Sequence, residues 1–120
     1  MTPEGKIERE IFNFLINELR IFAFKHDSAG VFDPVKKTFR TNRNPYRITG
    51  VSDILGIILN RPLAIEVKSK TGKLTPEQRI FLRVFQEHGG IAFVARSVKD
   101  VILELAKHFP EDENIRKFNH

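Results

Sequence analysis

The sequence predicts an α/β fold in which a central mixed β-sheet is flanked by helices. Three observations predict it: apolar residues recur at helical spacing in three segments, short apolar runs typical of strands lie between them, and turn residues separate these segments. At 120 residues the chain is long enough for one domain with its own core. The expected order of elements is α-β-β-β-α-β-α.

The first half of the chain contains one helix and three strands. A helix is expected over residues 3–19, because Thr2 suits an N-cap, Pro3 suits the first helical position, and apolar residues then recur at helical spacing. A short strand is expected within residues 20–25, followed by a basic loop over about residues 33–47. Two apolar runs, 54–59 and 63–68, read as paired strands that turn at residues 60–62.

The second half begins with a capping-box pattern, T-x-x-Q, at residues 75–78. It predicts a second helix that ends at the glycine pair 89–90, followed by a buried strand over residues 91–95. Ser97 then starts a third helix, which Pro110 ends. We therefore expect a single domain over residues 1–110 and a frayed tail over residues 111–120.

Composition excludes several classes of protein. The chain has 41% hydrophobic and 29% charged residues, as soluble globular proteins do, and its apolar runs fall far short of a membrane span. The amino terminus lacks the apolar segment of a secretory signal, so we expect a cytoplasmic protein that does not contact membranes. The absence of cysteine excludes disulfides and thiolate ligands, and the four histidines lack zinc-site spacing. Any bound metal is therefore expected to have oxygen ligands.

A net charge of +5 and a pI near 9.7 favour a polyanionic partner such as DNA. No acidic residue lies between Asp33 and Asp53. The basic residues in that interval are Lys36, Lys37, Arg40, Arg43 and Arg47. This segment could contact phosphates beside a cleavage site. The alternative is a solvated surface loop without a specific role.

An aspartate and an E-x-K motif form the candidate chemical site. Glu66 and Lys68 lie two residues apart on a predicted strand, so they share one face, and Asp53 heads the strand that pairs with it. The apolar neighbours of these residues, Ile57 among them, would bury the strands and make unpartnered charges costly. A divalent cation such as Mg²⁺ would relieve that cost, while Lys68 could orient or deprotonate a water molecule. The alternative is an ordinary cross-strand ion pair.

From about residue 4 to residue 101, the chain resembles the virus-type replication-repair nuclease (VRR-NUC) family of the PD-(D/E)XK superfamily. The family pattern is a helix glutamate, G-x-x-D, E-x-K and a glutamine; here these are Glu8, residues 50–53, residues 66–68 and Gln78. The stretch 72–78 and the glycine pair 89–90 also match. Ser52 stands where the family often has proline. The resemblance implies a restriction-endonuclease-like core.

The resemblance also implies roles for individual residues. Asp53, Glu66 and the backbone carbonyl of Val67 are expected to hold Mg²⁺ or Mn²⁺, and Lys68 to position the attacking water. Glu8 would support the metal, although Glu4 lies on the same helix face and either acid could simply favour the helix amino end. Gln78 would hold water or phosphate, unless it is only a helix cap. Further DNA contacts are expected from Lys70, Lys73 and Arg79.

The expected activity is divalent-metal-dependent endonucleolytic cleavage of DNA. The family resemblance implies structure-selective cutting of branched DNA such as Holliday junctions. Paired cuts across a two-fold junction need two sites, which a homodimer would supply. Three alternatives stay open: a flap- or single-strand-directed repair nuclease, a sequence-specific restriction-like nuclease, and a non-catalytic DNA-binding module.

Overall fold

The computed structural model describes residues 1–27, 31–33, 35, 38–40 and 46–119, with backbone only for residues 31–33 and 38–40. The helices and strands of these residues are α1 Pro3–Asn13, β1 Phe22–Lys25, β2 Val31–Asp33, β3 Thr38–Arg40, β4 Ile54–Ile58, β5 Arg61–Val67, α2 Pro76–Glu87, β6 Ile91–Ala95, α3 Val98–His108 and α4 Glu113–Arg116. Within this described part of the chain, no helix is long and apolar enough to cross a membrane.

The main sheet has four strands in the order β1-β4-β5-β6. Strand β4 runs antiparallel to both β1 and β5, whereas β5 and β6 are parallel. A parallel pair needs a crossover connection, and α2 lies between β5 and β6 in the chain. The α/β class and the mixed, helix-flanked sheet expected from the sequence are therefore confirmed.

Two short strands, β2 and β3, pair with each other as a separate antiparallel sheet. The sequence analysis expected only a loop in most of this region, and residues 38–40 instead form a strand. The many basic, Asn and Pro residues nearby favoured the loop interpretation, whereas Val, Phe and Thr are residues that favour strands. A strand of three residues is too short to show the alternating pattern by which a strand is recognised in a sequence.

Helix α1 begins where the sequence predicts. The Gly5 N–H donates to Thr2 Oγ1 over 3.0 Å, and Pro3 occupies the first helical position, where no backbone donor is needed. A π-helical segment, Phe14–Glu18, continues the helix before Arg20 adopts a positive φ of 56°. The predicted extent of residues 3–19 is thus confirmed.

The hairpin between β4 and β5 turns one residue earlier than expected. Leu59 and Asn60 both have positive φ, 48° and 68°, and Ile58 pairs with Arg61. Such a two-residue turn matches the twist of the strands it joins. Pro62, expected in the turn, instead lies within β5 opposite Ile57. The tight turn places Ile54 opposite Ile65, one step from Asp53 and Glu66.

Helices cover both faces of β5. Leu63, Ile65 and Val67 are fully buried in the larger core cluster, which includes residues of α1 and α3. Ala64 faces the other way and packs with Leu82 of α2. The expectation that Ile57 is buried was wrong: its side chain is 52% exposed. Ile57 pairs with Phe22 of the edge strand β1, which is also exposed, so the apolar cover does not extend over this corner of the sheet.

The carboxyl-terminal segment packs on the core, and the expected frayed tail is wrong for most of its length. Asp112 caps α4, with its Oδ1 accepting from the Ile115 N–H over 2.9 Å. Ile115 is only 3% exposed, and the Phe118 ring meets Phe14 edge-on with centroids 5.1 Å apart. Two apolar residues three positions apart are enough to anchor such a short helix.

Candidate active site

Asp53 lies just before β4 and is fixed to the end of β5. Its Oδ2 accepts a hydrogen bond from the Val67 N–H over 2.8 Å. Its backbone carbonyl accepts from the His26 N–H, also over 2.8 Å, which ties the end of β1 to the same place. These contacts hold the Asp53 carboxylate beside Glu66, as the strand pattern predicted.

Glu66 is a nearly buried acid whose two oxygens have different surroundings. Its side chain is 2% exposed. Oε1 accepts from Gln78 Nε2 over 2.9 Å and lies 3.8 Å from Lys68 Nζ. Oε2 is buried and has no hydrogen-bond partner among the described residues. A buried carboxylate oxygen without a donor is costly, so this atom is poised for a ligand that the protein itself does not supply.

The surroundings of Glu66 raise its pKa to about 8 from 4.5. Burial is the largest cause, followed by the negative charge of Asp53 and a hydrogen bond between the two carboxyl groups, while Lys68 lowers the pKa and Glu4 raises it. That bond requires a proton on one of the two acids, since ionised carboxylates only accept. With both acids ionised, Glu66 Oε2 is left without a donor and the site carries excess negative charge.

Lys68 lies on the same face as Glu66, as the spacing predicted, and its side chain is 12% exposed. Its backbone N–H donates to the Ala95 carbonyl over 3.1 Å, which extends the parallel pairing of β5 and β6. Glu66 and Lys68 are therefore close, as in a simple ion pair. A simple ion pair would explain why Glu66 and Lys68 are close. It would not explain the Asp53 carboxylate beside Glu66, or why Glu66 Oε2 has no hydrogen-bond partner among the described residues.

Gln78 caps α2 and also contacts the buried acid of the candidate site. Its Oε1 accepts from the Thr75 N–H over 2.9 Å, and its own N–H donates to Thr75 Oγ1 over 3.1 Å, which completes the capping box of α2. Its Nε2 simultaneously donates to Glu66 Oε1. The two amide atoms thus join the start of α2 to the buried acid.

The glycine of the G-x-x-D motif allows a close approach of two backbones. Gly50 has φ of 76°, and a Cβ there would lie 2.4 Å from the carbonyl carbon of Glu77. No other residue type could keep both this conformation and this contact. The segment leading to Asp53 therefore lies against the first turn of α2, next to Gln78. Ser52, in the same segment, is fully buried.

The helix glutamates are placed differently from each other. Glu8 Oε1 lies 3.1 Å from Lys25 Nζ on β1, and its side chain is 15% exposed. Hydrogen bonding and charge attraction from Glu8 raise the pKa of Lys25, with smaller contributions from Asp27 and Asp53. Lys25 therefore feels the negative charge of both Glu8 and Asp53. The negative charge of Glu4 contributes to the raised pKa of Glu66.

The proposed DNA contacts are only partly within the described residues. Lys36, Lys37 and Arg43 lie outside them, and Arg40 is described by its backbone in β3. Arg47, Lys70, Lys73 and Arg79 are all exposed, as phosphate contacts require.

Sequence reasoning missed Arg96. Its Nη1 donates to the Gly72 carbonyl over 2.8 Å and to the Ser69 carbonyl, so it fixes the loop that follows Lys68. The available signal was an arginine placed directly after a buried strand and before the Ser97 cap. A partly buried arginine at a strand end usually has acceptors nearby.

The donors present fit a hard divalent cation. Asp53 and Glu66 supply two carboxylates. Val67 lies beside them, since its N–H donates to the Asp53 carboxylate. No group of three or more His, Cys, Asp or Glu residues that could hold a metal occurs in the described residues. Mg²⁺ is commonly bound by one or two carboxylates, with waters and phosphate oxygens completing its shell. The orphaned Oε2 and the crowded negative charge agree with such a ligand set.

A mixed sheet that presents an aspartate at the head of one strand and E-x-K at the end of its neighbour defines a nuclease of the PD-(D/E)XK type. The family model of the VRR-NUC domain matches residues 20–99, and the chain belongs to this family. Asp53, Glu66, Lys68 and Gln78 lie within the match, whereas Glu4 and Glu8 precede it. Membership implies a hydrolase that acts on DNA and the use of a divalent metal. No curated protein matches the chain significantly.

Proposed function

We propose that this protein is a divalent-metal-dependent, structure-selective endonuclease that hydrolyses phosphodiester bonds of branched DNA such as Holliday junctions, in the cytoplasm. The observation that carries the proposal is Glu66: its buried carboxylate lies next to Asp53 and 3.8 Å from Lys68 Nζ, and one of its oxygens has no hydrogen-bond partner among the residues that the structure describes. That arrangement is unfavourable in isolation and becomes favourable when a cation and a phosphate join it.

Asp53, Glu66 and the backbone carbonyl of Val67 would hold Mg²⁺ or Mn²⁺, and Glu8 would support the set from α1, through water or by moving from Lys25. When bound, the metal supplies Lewis-acid polarisation of the phosphate and lowers the pKa of a bound water. Gln78 keeps Glu66 Oε1 occupied, which leaves Oε2 for the metal.

Lys68 would hold the attacking water and offset charge on the scissile phosphate. During hydrolysis the water oxygen bonds to phosphorus while the bond from phosphorus to the leaving oxygen breaks. A proton from the attacking water passes to solvent, and the leaving oxygen takes one from solvent. Placing the Lys68 ammonium beside Glu66 keeps it oriented for this role.

DNA would lie across the basic surface around this site. Lys70, Lys73 and Arg79 are exposed on the loop after β5 and the first turn of α2, and Arg47 is exposed before Gly50. We also propose DNA contacts from Lys36, Lys37, Arg40 and Arg43. Contacts of this kind set the register of the DNA and make binding dependent on salt. Removing Lys70 or Lys73 should lower the salt slope by about 0.9, whereas Lys107→Ala, on α3, should not change it.

Each chain has one set of candidate catalytic residues, and we therefore propose that the protein is a homodimer. Symmetric cuts across a two-fold junction require two active sites related by a two-fold axis, which a C2 dimer supplies. A monomeric mass at working concentration, with and without junction DNA, would argue against this part of the proposal.

The test compares the wild type with Glu66→Gln on labelled four-way junction, flap, single-stranded and linear duplex DNA, with Mg²⁺, Mn²⁺ or EDTA. Glu104→Gln, at a half-buried position on α3 where the carboxylate pairs with Lys107, is the matched control. Junction cleavage that requires metal and is lost only in Glu66→Gln supports the proposal.

Preference for flaps or single strands would keep the chemistry and change the substrate, and cutting at one duplex sequence would favour a restriction-like enzyme. Tight binding without any cleavage would favour a DNA-binding module.

A further inference from the structure

The loop between β5 and α2 is anchored from the opposite side by a single arginine. Nη1 of Arg96, which follows β6, donates to the Gly72 carbonyl over 2.8 Å and to the Ser69 carbonyl. The loop is also folded on itself, since the Gly72 N–H donates to Ser69 Oγ over 3.1 Å. The guanidinium therefore holds a compact turn over residues 69–72 by its two carbonyls.

This turn lies against the side chain of Lys68. An added Cβ on Gly72 would lie 3.5 Å from Lys68 Cδ, an ordinary contact distance, so the turn borders the aliphatic stem of the lysine. The backbone of Lys68 is held separately by the Ala95 carbonyl, the residue before Arg96. Ala95 and Arg96, at the end of β6, thus both hold Lys68 in place. Ala95 binds the Lys68 backbone, and Arg96 binds the turn that lies beside the Lys68 side chain.

Arg96 is itself held in place by the start of α3. Its N–H donates to Asp100 Oδ2 over 2.8 Å, and the Asp100 N–H donates to Ser97 Oγ over 3.1 Å. These bonds fix the backbone from which the guanidinium extends. The backbone of Arg96 is held at the start of α3, and its guanidinium binds two carbonyls of the loop. Arg96 therefore connects the loop over residues 69–72 to β6 and α3.

We propose that Arg96 is a positioning residue for Lys68: it holds the turn over residues 69–72 against the Lys68 stem and so keeps Nζ next to Glu66. The inference rests on the proposed nuclease function for its catalytic consequence. The two bonds from Arg96 Nη1 go to carbonyls of the loop and not to Asp53 or Glu66. Its loss should therefore lower the rate of chemistry more than substrate binding, because a displaced catalytic group costs about 10- to 100-fold in rate.

The test uses Arg96→Ala and Arg96→Lys, with Arg83→Ala on the exposed face of α2 as the matched control. Proteins are labelled with ¹³C at lysine Cε, and the Lys68 signal is assigned by its loss in Lys68→Arg. In the wild type and Arg83→Ala we expect two separate Hε shifts for Lys68, the mark of an ordered side chain. In Arg96→Ala they should merge at the position of exposed lysines, and Arg96→Lys, with fewer donors, should be intermediate.

Cleavage gives the second readout. Arg96→Ala should lose about 10-fold or more in kcat with KM changed less than about twofold, and free guanidinium should recover part of the rate. Unchanged Lys68 signals in a folded Arg96→Ala protein would overturn the proposal, whether or not the wild type cleaves DNA. A wild type that cuts no substrate would instead overturn the proposed function and leave the spectroscopic result to decide the role of Arg96. If Arg96→Ala does not fold, the Arg96→Lys spectrum decides.

Discussion

The Gln78 amide donates from Nε2 to Glu66 Oε1 over 2.9 Å while its Oε1 accepts from the Thr75 N–H over the same distance. One side chain therefore caps a helix and orients a buried acid. The capping-box pattern and the family pattern gave competing explanations for Gln78, but the two are compatible because each uses a different atom of the amide.

Substitutions at residues 75 and 78 should separate these two tasks. Gln78→Glu retains the cap acceptor but places a carboxylate oxygen against Glu66, so we expect cleavage to fall by about 10-fold or more with little loss of α2. Thr75→Ala should cost about 1 kcal/mol of stability with a much smaller effect on cleavage per folded molecule. Urea unfolding and single-turnover kinetics measure the two effects. Equal cleavage by Gln78→Glu and wild type would leave Gln78 as a cap only.

The pH dependence of stability should reveal the cost of the ionised Glu66. Its pKa is about 8 in the folded protein against an ordinary 4.5, so the folded state holds the proton more tightly than the unfolded state does. The stability that this proton contributes is complete below about pH 4.5 and is lost as pH rises through about 8.

Glu66→Gln removes this dependence. In EDTA, the unfolding free energy of Glu66→Gln relative to wild type should therefore rise between about pH 5 and about pH 9. The change should be on the order of a few kcal/mol, at about 1.4 kcal/mol per pKa unit. Denaturant unfolding at several pH values provides the measurement, with Glu104→Gln as control. Parallel curves for the variant and wild type would contradict a raised pKa of Glu66.

Divalent metal should stabilise the wild-type protein independently of any DNA. Binding to the folded state alone at 100 times Kd contributes about 2.7 kcal/mol, visible as a higher melting temperature. The increase should be smaller at low pH, because metal must displace the proton that the raised pKa keeps on Glu66. Asp53→Asn and Glu66→Gln should abolish it, whereas Glu8→Gln should reduce it. An equal increase in all variants would show that the metal binds elsewhere.

Two glycines with similar backbone angles should respond differently to alanine. Gly50 and Gly89 have φ of 76° and 90°, so both substitutions carry backbone strain of about 1–2 kcal/mol. A Cβ at Gly89 meets no atom within 4 Å, whereas one at Gly50 would lie 2.4 Å from the Glu77 carbonyl carbon. Gly50→Ala should therefore lose about 1–3 kcal/mol more stability, and also cleavage, because Gln78 moves with the first turn of α2. Similar losses for the two variants in urea unfolding would contradict this close contact.

The sequence predicted the parts of the molecule that depend on local patterns. The cap at Thr2, the capping box at Thr75 and the shared face of Glu66 and Lys68 each follow from spacings of two to four residues, which fix local geometry. The sequence also predicted that Asp53 and Glu66 converge, whereas the register that aligns them depends on the turn at Leu59 and Asn60, one residue earlier than expected.

Features that depend on distant partners were not predictable in the same way. Arg96 contacts a loop that precedes it by 24 to 27 residues, and no local pattern encodes that contact. Ile57 looks like a core residue by composition, but it is exposed and pairs with Phe22 of the edge strand, which is exposed as well. Phe118 likewise packs against the core through an edge-on contact with Phe14, more than 100 residues earlier in the chain.

Single-turnover cleavage of a labelled four-way junction, at saturating protein and about pH 8, tests the central claim most directly. The wild type and Glu104→Gln should cleave with Mg²⁺ or Mn²⁺ and stop in EDTA, while Glu66→Gln should bind the junction equally well and cleave at least about 100-fold more slowly. Cleavage by Glu66→Gln at the wild-type rate, or wild-type cleavage that persists in EDTA, would contradict a metal-dependent site built on Glu66.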